Sequence, residues 1–153
     1  MSLTEDDAER KRAVLREVLE ALMSGKLGVV SRHFAPGVMF SNRSNAGVID
    51  GPWFGRLEGD FRLAGEAETR SFLNELMQKA KYISYEERGL VIEQDSAASL
   101  CNWMRRNEKD GTLVSGTTMW WFFFTSDSRI RYVESISSIH SVLPAREREA
   151  AEA

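Results

Sequence analysis

A single cysteine, Cys101, stands in 153 residues. No intrachain disulfide can form, and the cytoplasm is the expected compartment. That cysteine and the two histidines, His33 and His140, lie far apart without metal-ligand spacing, so no metal site is expected. No apolar run approaches the roughly 20 residues that a membrane helix needs. The opening Met-Ser-Leu-Thr-Glu-Asp-Asp is acidic and is not expected to be a secretory signal. A basic excess is also missing: the net charge is −3 and the pI is near 5.5. Neither nucleic acid nor an anionic membrane is therefore an expected partner, because nothing is in surplus to neutralise phosphates. Repeats and low-complexity segments are absent.

What is present suits a globular protein, with 42% hydrophobic and 28% charged residues. Residues 1–143 read as one α+β domain and 144–153 as a frayed, charged tail. Thr112 to Thr125 is β-branched and aromatic almost throughout, the composition of a well-covered strand. Its two alternate sets are both apolar toward the C-terminal end, so both faces should be covered. Few helices are available to do it. One face is expected to pack on the chain's own helices and the other on a second subunit.

The remaining elements follow in order. Thr4-Glu5-Asp6-Asp7 resembles a capping box, and Val14, Leu15, Val18, Leu19 and Leu22 form a helical stripe ended by Gly25. A short helix over Leu27 to Phe34 is expected to stop at Pro36-Gly37, before a short strand, Val38 to Phe40. Residues 41–65 are punctuated by glycines, with Trp53, Phe54 and Phe61 between them. A loop of that length is usually functional or mobile, although its aromatics could equally pin it to the core. Glu66 to Ala80 carries the stripe Phe72, Leu73, Leu76 and Met77 of a third helix. Tyr82 to Gln94, Ala97 to Asn107, Thr112 to Thr125 and Arg129 to Ile139 then read as strands in hairpin succession, with Asp110-Gly111 as one tight turn. The expected architecture is a curved antiparallel sheet wrapped around three helices.

In this arrangement the chain resembles the nuclear transport factor two-like superfamily, the cone-shaped α+β fold that includes SnoaL-like polyketide cyclases, ketosteroid isomerase and scytalone dehydratase. The resemblance spans roughly residues 12–143. It is carried by Val18-Leu19-Glu20-Ala21-Leu22-Met23-Ser24-Gly25, His33-Phe34-Ala35-Pro36-Gly37-Val38-Met39-Phe40, Ala64-Gly65-Glu66 and Arg129-Ile130-Arg131-Tyr132. These stretches specify a fold, and the fold carries many functions. Ketosteroid isomerase uses a tyrosine in helix one, an aspartate base after the first strand and a protonated aspartate on a late strand. By spacing those positions fall on Val18, Asn42 and Trp120. Valine has no donor and an amide is no base near neutral pH, so that chemistry does not carry over.

The same positions imply which surfaces face the cavity. With Trp120 inward, Thr118 and Phe122 share its face, Trp103 and Arg105 join from the preceding strand, and Ser135 and Ser137 from the last. Asn42 stands at the mouth, and Val18, Trp53 and Phe72 complete the expected lining. Such a lining suits a flat, hydrophobic small molecule. Arg105 would meet a carboxylate or enolate oxygen, unless it is a surface arginine at a strand end. Two functions stay open. One is cofactor-free acid–base catalysis by a small isomerase, cyclase or dehydratase, with His33 or Asp50 as base and Asn42 or Arg105 on the anion. The other is a non-catalytic ligand-binding or assembly module, in which His33 is structural and Asp50 only shapes a turn. In either case a homodimer through the outer sheet face, including Trp121 and Phe123, is expected.

Overall fold

The computed structural model describes residues 4–44 and 61–144. Helix α1 runs Glu5–Ser24. The Thr4 hydroxyl accepts from the Asp7 N–H at 3.1 Å, and Gly25 closes the helix at φ 76° in the left-handed region that glycine tolerates. Leu15, Val18, Leu19 and Leu22 bury its inner stripe. Lys11 lies on the same stripe. Its ammonium donates to the Gln94 carbonyl and sits 5.8 Å from the Phe124 ring centre, so its alkyl stem is buried while its charge is satisfied.

Helix α2 is short, Leu27–Arg32. The expected extension to Phe34 gives way to strand β1, Phe34–Ser44, which passes straight through Pro36-Gly37. Tertiary pairing is the reason. Ile130 N–H donates to the His33 carbonyl at 2.7 Å, and Arg129 donates to the Phe34 carbonyl at 2.5 Å. These bonds draw the segment against the last strand, and Pro36-Gly37 occupies a register irregularity between Phe34 and Met39, with Gly37 at φ 76°. Strand β2, Phe61–Ala64, lies inside the segment expected to be a loop and pairs antiparallel with β1.

Helix α3 (Glu66–Lys79) buries Thr69, Phe72 and Leu73. Strands β3 (Ala80–Ile92), β4 (Ser96–Asn107), β5 (Leu113–Phe124) and β6 (Ile130–Leu143) form the meander. Gly111 at φ 72° completes the β4–β5 turn, and the Asp110 carboxylate accepts from Thr112 N–H at 2.9 Å. The sheet order is β2-β1-β6-β5-β4-β3. It is antiparallel except where β1 joins β6, a parallel pair that the meander pattern did not announce. The sheet is curved and unclosed, with the helices against one face.

Strand alternation decides which side chains meet those helices. On β5 the set Val114, Gly116, Thr118, Trp120, Phe122 and Phe124 is buried. The opposite set leaves Trp121 40% exposed, with Leu100 and Ile136 exposed on the neighbouring strands.

Candidate functional site on the inner face of the sheet

Every described residue of the expected lining except Ser137 is buried: Val18, Asn42, Phe72, Trp103, Arg105, Thr118, Trp120, Phe122 and Ser135. Ser137 is half-buried. Asp50 and Trp53 lie outside the described residues. The strand register explains the convergence. Asn42 pairs with Ser135, Ser135 with Trp120, and Thr118 with both Ser137 and Cys101, so one row of inward positions crosses four strands.

A hydrogen-bonded line occupies that row. Ser135 Oγ donates to Asn42 Oδ1 at 2.6 Å, Ser137 Oγ reaches the same oxygen at 3.5 Å, and Thr118 Oγ1 lies 2.9 Å from Ser137 Oγ. The indole N–H of Trp103 donates to Thr118 Oγ1 at 2.7 Å. Aromatic rings surround this line. Phe40 meets Phe72 at 6.1 Å and Trp120 edge-on at 6.0 Å, and Trp120 stacks on Phe122 at 6.2 Å. In a low-dielectric setting a satisfied polar chain holds its members in one arrangement.

Arg105 resolves in favour of the interior. It is 4% exposed, with its guanidinium carbon 4.4 Å from the Trp103 ring centre and 5.4 Å from that of Tyr82. Desolvation pulls its pKa down to about 9, which leaves it charged at neutral pH. The sequence reading missed two tyrosines of β3: Tyr82, which pairs with Arg105, and Tyr85, which pairs with Trp103. Spaced three apart, they would point to opposite faces of a regular strand, but a register shift between Tyr82 and Ser84 brings both inward. Tyr85 Oη lies 2.5 Å from Cys101 Sγ. Burial raises the pKa of both phenols and of the thiol, so all three stay neutral near pH 7. Phe40 was also missed, although its position two residues before Asn42 puts it on the same face.

His33 follows α2, with Nε2 2.9 Å from Glu17 Oε2 of α1, and Arg32 reaches the other oxygen of that carboxylate at 3.3 Å. His140 is exposed on β6, 2.7 Å from Thr117 Oγ1. Among the described residues the buried charged side chains are Lys11 and Arg105, both cations. No group of three or more potential metal ligands occurs among them, nor any helix long and apolar enough to cross a membrane. An open depression of about 700 Å³ borders the outer side of α3 at Glu66, Ala67, Arg70, Ser71 and Asn74. All five are exposed and none belongs to the inner face, so it lacks the aromatic walls that retain an organic ligand.

Compared by sequence, the chain matches no family model and no curated protein. Compared by structure, it matches an NTF2-like protein from Burkholderia xenovorans at a TM-score of 0.66 and 11% identity, over 85% of this chain and 90% of that one. The chain has the nuclear transport factor two-like fold. An LEH-like epoxide hydrolase from M. tuberculosis shares this fold at a TM-score of 0.64 and 11% identity, over 86% and 84% of the two chains. So does SalBIII, an epoxide hydrolase/cyclase-like enzyme of pyran ring formation in salinomycin, at 0.66 and 15%, over 90% and 98%. At these identities the nuclear transport factor two-like architecture is what is held in common.

Proposed function

We propose that this chain is a small-molecule pocket protein of the SnoaL-like kind, holding a flat hydrophobic ligand against the inner face of the sheet. The observation that supports it best is the line Ser135–Asn42–Ser137–Thr118–Trp103, set within an aromatic wall. Aromatic surface supplies affinity for a flat molecule, and a fixed row of oxygens orients its polar groups. Fold neighbours that include an epoxide hydrolase and a cyclase-like enzyme are in keeping with such a ligand.

The enzymatic form of this reading is cofactor-free proton transfer, with His33 or Asp50 as base and Asn42 or Arg105 opposite the developing anion. The expected result is that His33→Ala or Asp50→Ala lowers turnover of a bound ketone or epoxide by about a hundredfold while leaving its affinity within threefold. Turnover unchanged in the double variant would end that form of the reading. The non-catalytic form has its own support. Val18, Asn42 and Trp120 are inert at the three positions tested, and the buried charges among the described residues are cationic. Binding by isothermal calorimetry without any turnover of the bound compound would select it.

The outer face fits a second copy of this chain. Leu100, Met119 and Ile136 are cross-strand neighbours there, and Trp121 packs on Phe123 at 4.8 Å. Large, partly exposed aromatic residues on one sheet face mark an association surface. Trp121→Lys is expected to raise the dimer dissociation constant about a hundredfold, read by light scattering across a dilution series. A wild-type monomer at micromolar concentration would rule the dimer out.

A further inference from the structure

The hydrogen-bonded row of the inner face is pinned at both ends by groups that can act in only one way. The indole N–H of Trp103 can only donate, and Thr118 Oγ1 accepts from it at 2.7 Å. The amide oxygen of Asn42 can only accept, and it stands toward the other end of the row. Thr118 is buried, and among the described residues the one acceptor bonded to its hydroxyl is Ser137 Oγ at 2.9 Å, so its proton lies there. The Ser137 proton then turns to Asn42 Oδ1 at 3.5 Å, and the Ser135 proton goes to the same oxygen at 2.6 Å.

Every hydroxyl proton of the row is thus committed within it, while lone pairs remain. A hydroxyl has one proton and two acceptor sites. Among the described residues, Thr118 and Ser137 each keep one such site and Ser135 keeps both. The row therefore meets a ligand as a set of acceptors. A carbonyl, ether or ester oxygen set against it would face lone pairs and lose its bond to water without replacement. An ammonium donates, but neutral hydroxyls do not offset the cost of burying its charge. What fits is a neutral donor. A phenol carries one in the plane of a ring, and the rings of Phe40, Phe72 and Trp120 stand beside the Asn42 end of the row. Exposure sets the place of contact. The Trp103 indole reaches Thr118 from β4, whereas Ser137, on β6, is half-buried while Thr118 and Ser135 are buried.

We propose that the inner face recognises a flat aromatic ligand through a neutral phenol-type hydroxyl, which gives its proton to the acceptor row at Ser137. This rests on the pocket reading above and specifies its ligand.

The test is calorimetric titration of the full chain with 2-naphthol and with 2-fluoronaphthalene, a molecule of nearly the same shape that has no proton to give. Desolvation alone favours the fluoro compound, so a preference for the naphthol reports the hydrogen bond. The naphthol is expected to bind the wild type about tenfold or more tightly. Ser137→Ala should weaken the naphthol about tenfold and the fluoro compound less than about threefold. Ser137→Thr, which keeps the hydroxyl, should keep the preference. Wild-type protein that binds the fluoro compound as tightly as the naphthol overturns the proposal and leaves the pocket reading standing, whereas binding of neither overturns both. An equal loss of the two compounds in Ser137→Ala makes the residue a wall only and also overturns the proposal. Should that variant fail to fold, the wild-type comparison and Ser137→Thr give the same decision.

Discussion

Gly116→Ala is expected to lower the stability of this protein by about 3 kcal/mol or more, measured by urea unfolding. In a regular strand the same change would ordinarily help, since alanine costs less backbone entropy and adds a side chain to pack. Here the sign reverses for a steric reason. A methyl group at this position would stand 2.6 Å from the Ser138 carbonyl oxygen and 2.6 Å from Cζ2 of Trp103. The first neighbour is backbone and cannot give way without disturbing β6. The second is the indole that joins Arg105 to Thr118. Displacing it breaks the 2.7 Å bond to Thr118 Oγ1 as well as the ring's contact with the guanidinium. Tryptophan emission should therefore shift to longer wavelength in the folded variant, together with the change in unfolding midpoint. An unchanged midpoint would mean that Trp103 does not lie across Gly116.

Phe122→Ala is expected to cost about 3–5 kcal/mol. The side chain is 1% exposed and stacks at 6.2 Å and 19° on Trp120, so truncation removes apolar contact that the aligned strands cannot collapse to recover. A hole lined by aromatic residues stays dry and accepts a small arene. Benzene should accordingly raise the unfolding midpoint of Phe122→Ala by more than it raises that of the wild type. A loss below about 1 kcal/mol would place Phe122 against space already open in the wild type rather than in packed core. The experiment thus distinguishes a wall of the proposed ligand site from a structural support behind it.

Particular residues show how far the sequence could be read. Thr118, Trp120 and Phe122 were assignable to one face because alternation along a strand is a local rule, and one anchored position fixes the rest. The same rule brought in Trp103, Arg105 and Ser135. It failed at Tyr82 and Tyr85, where an irregularity within β3 reverses the parity between them. The helix does end before Pro36-Gly37, but its end at Arg32 and the start of β1 at Phe34 were not legible. They follow from the bonds of Ile130 to His33 and of Arg129 to Phe34. Strand β2 was illegible for a related reason: four residues, Phe61–Ala64, carry too little pattern, and they become a strand by pairing with β1.

By itself the sequence determined the order of helices and the hairpin meander, the division of each regular strand into two alternate sets, and the want of disulfide, metal-ligand spacing and basic surplus; which set faces inward was implied by the resemblance. Each of these depends on residue type and near-neighbour spacing. Only the tertiary structure decided that β1 joins β6 in parallel, that Arg105 is enclosed between Trp103 and Tyr82, and that Asn42, Ser135 and Thr118 form one hydrogen-bonded line. These contacts join residues as far apart as Asn42 and Ser135. Their geometry is set by strand register and by shifts within it, and register comes from the packing of the whole sheet rather than from any short stretch of the chain.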